Sequence, residues 1–308
     1  MVGDYRVELA ASLHATGRHR EAVEQLTELL GEHPDSALLH GLLASSLLAL
    51  KRLSAAEYEL DLALGLEPAL PFLHLVRAQL RVSERKLTAA VDCCDEALRL
   101  DPELTDAHLL KAEIFRQLER YREAGQSLDD AARLKPNSVA VLVGLGGLAL
   151  DMGRNQEAHA YAADALRAHA GDEDANLLMG WTQLVLGNPS EAEHHAKFAL
   201  MQNPSSEEAL RLFVSIRARR SLFLGLWWRL NARIASMTTT RAALVLISAY
   251  LFFNFARLIA RDLGLATLSH IIGYGWLALV LYTWVAYPIF QRSLQRELRG
   301  FRFDPDRA

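Results

Sequence analysis

The chain has 308 residues, of which 51% are hydrophobic and 23% charged, and its formal net charge at pH 7 is only -4. This balance excludes a disordered chain, which holds too few apolar side chains to offset its ordering entropy, and a strongly basic nucleic-acid binder. The charge is unevenly spread: most Asp and Glu precede position 210, whereas Arg217, Arg219, Arg220, Arg229, Arg233 and Arg241 follow Arg211 with few acids among them.

Taken in chain order, the first residues carry Asp4 and Glu8 where an export signal needs an unbroken apolar core, so the N-terminal part is expected to stay in the cytosol. Next comes a period. Pro34, Pro68, Pro102, Pro136 and Pro204 fall on one 34-residue ladder whose missing rung is Ala170. Twelve residues before each rung stands an alanine: Ala22, Ala56, Ala90, Ala124, Ala158 and Ala192. Two further ladders of mostly small residues run through Ala10, Ala44, Ala78, Ala112, Gly146 and Gly180, and through Leu29, Ala63, Ala97, Ala131, Ala165 and Ala199.

Small side chains at fixed spacing mark places where helix backbones approach to roughly 8–10 Å, so each unit is predicted to be two antiparallel helices. The proline ends the second helix of each unit, because it lacks an amide hydrogen and disfavours helix in the residue before it. Gly17, Gly153 and Gly187 supply the turn within a pair. Ser205-Ser206-Glu207-Glu208 reads as a capping box that opens a last helix, with Leu210, Phe213 and Val214 facing inward, to cover the final apolar face near Arg219.

These rungs resemble the tetratricopeptide repeat family over roughly residues 3 to 204. The family's large first position is filled here by His40, His74, His108, Leu142 and Asn176, and its usual tyrosine position by Leu13, Leu47, Arg81, Phe115, Ala149 and Gln183. The resemblance implies an all-α, right-handed solenoid of about six helix pairs plus a capping helix over 1–220. It also implies a concave groove lined by the first helices of the pairs. The residues placed there are Leu38, Leu42, Leu48, Phe72, Leu75, Val82, Leu109, Leu150, Leu177, Trp181 and Leu184. This lining suits a protein partner that offers an amphipathic or extended apolar segment, unless many of these side chains pack between repeats instead. The basic clamp by which some family members hold a terminal carboxylate has no counterpart at Val7, Ala11, Leu42, Phe72 and Val76.

Beyond the repeats, residues 221–240 place Phe223, Leu226, Trp227, Leu230, Ile234 and Met237 at helical spacing, and Trp227, Trp228, Arg229 and Arg233 are expected to anchor an interfacial helix at a membrane lipid surface. Two transmembrane helices are expected at about 241–260 and 271–290, since 242–256 and 263–290 hold no charge. Arginines flank the pair on both outer sides, which places both termini, including a basic tail at 291–308, in the cytoplasm. Asn254 and His270 are candidate intramembrane polar contacts. Only five of the 33 basic residues are lysines, a bias of GC-rich coding that suggests a bacterial inner membrane.

The search for chemistry yields little. His40, His74 and His108 recur in register, but one repeat separates each from the next, far more than the reach of two ligands on one zinc ion. Gly144, Gly146 and Gly147 lie within a predicted helix, where they permit close packing rather than cradle a phosphate. Cys94 reads as core filler beside Cys93. No cofactor, metal or nucleic acid is expected, nor an enzyme. The expectation is an adaptor or scaffold at a membrane, the alternative an accessory subunit of a membrane transport or secretion complex whose hairpin carries the specificity.

Overall fold

The computed structural model describes residues 2–204, 206–220 and 239–265, with 267, 270, 271 and 274. Among them the secondary structure is helical and no strand occurs. Six pairs follow one another: α1 (Val2–Ala15) with α2 (His19–Glu32), α3 (Ala37–Ala49) with α4 (Leu53–Leu66), α5 (Pro71–Ser83) with α6 (Leu87–Leu100), α7 (Thr105–Gln117) with α8 (Tyr121–Leu134), α9 (Val139–Asp151) with α10 (Asn155–Ala168), and α11 (Glu173–Leu186) with α12 (Pro189–Gln202). Then come α13 (Glu207–Arg220) and α14 (Thr239–Asp262). The chain forms two compact units, 1–178 and 179–308.

The small-residue ladders are the seams of the fold. Ala22, Ala56, Ala90, Ala124, Ala158 and Ala192 are at most 1% exposed, and so are Leu29, Ala63, Ala97, Ala131, Ala165 and Ala199. At the third ladder a β-carbon on Gly146 would lie 2.4 Å from Leu178 Cδ2, and one on Gly180 would lie 2.5 Å from Leu212 Cδ2. Around these seams Leu26, Leu60, Leu73, Leu80, Ile114 and Leu128 are fully buried, each contributing roughly 2 kcal/mol of apolar transfer. In the second unit, Leu212, Phe213 and Ile216 of α13 are wholly buried, as a terminal capping helix requires.

Both turns of the repeat recur in detail. At the end of each second helix, His33, Glu67, Asp101, Lys135, His169 and Asn203 leave the helix, each amide still bonded to the carbonyl four residues back. His169 does so although Ala170 follows it, and the Ala170 carbonyl accepts a hydrogen bond from the Asn176 amide. Within each pair, Gly17, Lys51, Arg85, Glu119, Gly153 and Gly187 adopt positive φ, between 58° and 93°. The next amide closes onto the carbonyl five residues back, as in Arg18 to Leu13, Arg120 to Phe115 and Arg154 to Ala149. Sequence reading located this turn at the three glycines; the other three positions carry side chains in the left-handed region, held by the same hydrogen bonds.

Residues 221–238 and 275–308 lie outside the described residues, and with them Trp227, Trp228, Arg229 and Arg233, nearly all of the expected second span, and the basic tail. The expected first span at 241–260 coincides with α14, which has 24 residues and contains Asn254, Arg257 and Arg261. Among the described residues, no helix is long and apolar enough to cross a membrane.

Candidate partner-binding site

The first helices of the pairs carry the expected lining, and the structure sorts it by exposure. Leu38 is 46% exposed on α3. Phe72, Leu42, Leu48, Val82, Leu109 and Leu150 are half-buried, so each keeps part of its surface free. Leu75 and Leu177 are core instead, at 6% and 3% exposure, and cannot meet a partner in this state. Leu75 is covered because Ala97 and Ala107 beside it are short enough for α6 and α7 to close over it. In the second unit Trp181 is half-buried and Leu184 is core at 3%.

The most exposed of these side chains, Leu38, lies in the second pair, and half-buried Phe72 lies in the third. Phe72 lies against α3 because Gly41 leaves room for it: a β-carbon there would lie 3.1 Å from the ring and 2.4 Å from Leu73 Cδ2. Next to Leu38, Val7 and Leu39 join Glu32, His33, Pro34, Asp35 and Ser36 around a recess of about 500 Å³. Arg6 holds the Glu32 carboxylate at 2.7 Å, and this hydrogen bond and charge keep Glu32 below the usual carboxylate range.

Further along the row the chemistry changes, which sequence reading missed. Arg116 donates to Glu113 at 2.8 Å within α7 and to Asp151 at 2.7 Å on α9. Its guanidinium occupies the space over Gly147, where a β-carbon would lie 2.6 Å from Nη1. Gly147 stands at the rung filled by Ser45, Gln79 and Glu113, and this lost side chain was the available signal.

The recurrent histidines are structural clips. His40, His74 and His108 each place Nε2 within 2.7–3.1 Å of the carbonyl of Pro34, Pro68 or Pro102. Asn176 makes the same bond to Ala170 with its amide. His40 adds a contact of Nδ1 with Glu59 at 2.6 Å. Each of the three rings is thus tied to the turn that precedes its own helix. Among the described residues no group of three His, Cys, Asp or Glu could hold a metal ion. Burial pushes the Cys94 thiol up to about 12, consistent with a packing role. On α14, Asn254 is exposed, and beyond the helix His270 stacks on Tyr274 at 6.3 Å.

A row of helix pairs with alanine seams, left-handed inner turns and outer turns that mostly carry proline defines an all-α helical repeat protein. Sequence profiles of the tetratricopeptide repeat match residues 7–71, 75–139 and 149–215, and the chain belongs to that family. Such arrays are scaffolds for protein–protein interaction. No curated protein matches the sequence. Similar solved structures include the APC/C hetero-tetramer Cut9–Hcn1, with TM-score 0.62, 17% identity and coverage of 70% of this chain. This chain spans only 42% of the length of that one. TTC0263, a thermophilic repeat protein of Thermus thermophilus, gives TM-score 0.56 and 23% identity over 59% of this chain and 99% of its own. PilW, described as a type IV pilus biogenesis factor, gives 0.54 and 20% over 69% and 98%. At these identities the likeness is one of fold.

Proposed function

We propose that the protein is a membrane-tethered adaptor, whose N-terminal pairs hold an apolar segment of a partner protein while the region from α14 onward fixes the array to a bilayer. The observation that carries the tether is the surface of α14. Leu251, Phe252, Phe255, Leu258 and Ile259 are 44–70% exposed, and Leu263, Leu265, Ile271 and Tyr274 continue the run. So many large apolar side chains facing outward on one segment call for a cover that water cannot provide. Arginines at 241, 257 and 261 suit the headgroup zone, and the uncharged stretch 271–290 would supply the second pass of a hairpin with both termini cytoplasmic.

Fractionation of cells followed by alkaline carbonate extraction tests the tether. The full chain should remain in the pellet, and Phe252→Arg with Phe255→Arg should release it. Recovery of the unaltered chain in the soluble fraction overturns the tether. Protease added to the cytoplasmic face should digest the repeats; protection on that side reverses the orientation.

The partner segment is placed at Leu38 and Phe72, where apolar surface is free and the carboxylates of Glu32 and Asp35 lie beside Leu38. Crosslinking in native membranes should identify a partner whose capture falls with Leu38→Asp and Phe72→Asp while helical content is kept. Capture at full strength by that variant moves recognition elsewhere, with the region around Asn254 and His270, as in an accessory subunit of a transport complex, the next place to look.

A further inference from the structure

The first helix is docked on its neighbours partly through imidazoles. His14, in the last turn of α1, pairs Nδ1 with Ser46 Oγ at 2.9 Å and Nε2 with Ser45 Oγ at 3.3 Å, both on α3. Its ring also meets His19, the first residue of α2, edge to face at 5.2 Å between centroids. Ser46 is completely buried and Ser45 is 9% exposed. His19 Nδ1 is itself buried without a hydrogen-bond partner among the described residues.

Such a cluster suits neutral rings and resists charged ones. A neutral imidazole offers one donor and one acceptor, which two hydroxyls can answer in opposite senses. A protonated ring has two donors, so the serine that had donated to it must turn its proton elsewhere inside a closed contact. The surroundings offer no carboxylate in compensation. From α2 the facing group is a second imidazole. From α3 come two hydroxyls, and the titratable residue of that helix, His40, is engaged by Pro34 and Glu59. On α1 itself, Arg6 is paired with Glu28 and Glu32. The C-terminal end of α1 favours a cation on His14, but burial opposes it and so does the neighbouring imidazole.

We propose that proton uptake by His14, between the two serines of α3 and the His19 ring, loosens α1 from α3, and with it the recess between Val7 and Leu38, so that mild acidification weakens the N-terminal part of the array. Burial, and then the charge of His19, hold His14 below its ordinary value. The sign follows: a group depressed in the folded state and near 6.5 when free binds more protons after undocking. Docking is therefore intact above about pH 6.5 and is lost progressively as the pH falls below it. The structural step stands by itself, whereas its consequence for binding rests on the proposed function.

Hydrogen exchange of the full chain in mild detergent, at about pH 7.5 and 5.5 with rates normalised to intrinsic exchange at each pH, reads the structural step. Amides of α1 and the start of α2 should lose protection by about fivefold or more at the lower pH, while α5 to α8 hold theirs. His14→Gln with His19→Gln should abolish this loss, because an amide can bond the serines without titrating. Equal protection of α1 at both pH values overturns the proposal, and so does an undiminished loss in the double variant. Should that variant fail to fold, the ring-proton NMR titration of His14 in the unaltered chain decides: titration at or above the ordinary histidine value refutes it. Partner capture is measured alongside. Capture lost at pH 5.5 while α1 stays protected breaks the link to binding.

Discussion

Replacing Glu119 by glycine should stabilise the array, and replacing Gly153 by alanine should destabilise it by a similar amount. Both residues occupy the same turn in successive repeats, with φ of 58° and 72°. An L side chain held in the left-handed region costs roughly 1–2 kcal/mol. Glycine removes that cost but adds unfolded-state freedom, which returns about 0.4–1 kcal/mol. The difference leaves Glu119→Gly about 0.5–1 kcal/mol more stable. For Gly153→Ala the balance reverses, and a β-carbon at Gly153 meets nothing within 4 Å, so no packing change enters. Because repeat arrays open by parts, hydrogen exchange at the α7–α8 and α9–α10 turns should accompany the denaturation midpoint. Destabilisation by Glu119→Gly, or a neutral Gly153→Ala, would refute the view that backbone strain sets the energy of this turn.

Other expectations follow from the seams and clips. Ala124→Leu should cost roughly 1–3 kcal/mol, since the site is fully buried and overpacking must displace a neighbouring helix; an unchanged thermal transition contradicts this. His40→Ala should lower stability by about 1–3 kcal/mol by leaving the Pro34 carbonyl and Glu59 unanswered, whereas His40→Asn should cost less because Asn176 already makes the equivalent bond to Ala170. Cys94 should resist alkylation at pH 8 until the chain is unfolded, its thiol being buried and pushed up to about 12; modification of Cys94 at the same rate in native and denatured protein, followed by mass spectrometry, would count against that.

The fold was legible because its constraints are local and repeated. The seam from Ala22 to Ala192 keeps alanine at every repeat, and a proline after a helix leaves few conformations, so both are visible in the sequence at the repeat spacing. The inner turn was only half visible: glycine announces positive φ at 17, 153 and 187, but Lys51, Arg85 and Glu119 enter the same conformation because the hydrogen bonds of the flanking helices impose it. The histidine ladder was visible as a period and opaque as chemistry. Its partner is a backbone carbonyl six residues away, and carbonyls leave no mark in a sequence.

The lining was harder to read, for a physical reason that Leu38 and Leu75 make concrete. Both are leucines on the predicted inner side of a first helix, yet one is 46% exposed and the other 6%. A helical period assigns a residue to a face, but its exposure depends on the size of the residues opposite, which come from helices one turn of chain or more away. Around Leu75 those are Ala97 and Ala107, so the gap closes. Around Leu38 the chain turns through His33 to Ser36 instead and leaves a recess. The same rule explains Arg116, whose guanidinium fills the place of a side chain that Gly147 lacks. Exposure along the first helices is thus set by which opposing positions are small, and enlarging one of them is the direct way to change it. Gly147→Ala should push Arg116 off its site between Glu113 and Asp151 and free a cation on the surface of α7 without touching the alanine seams.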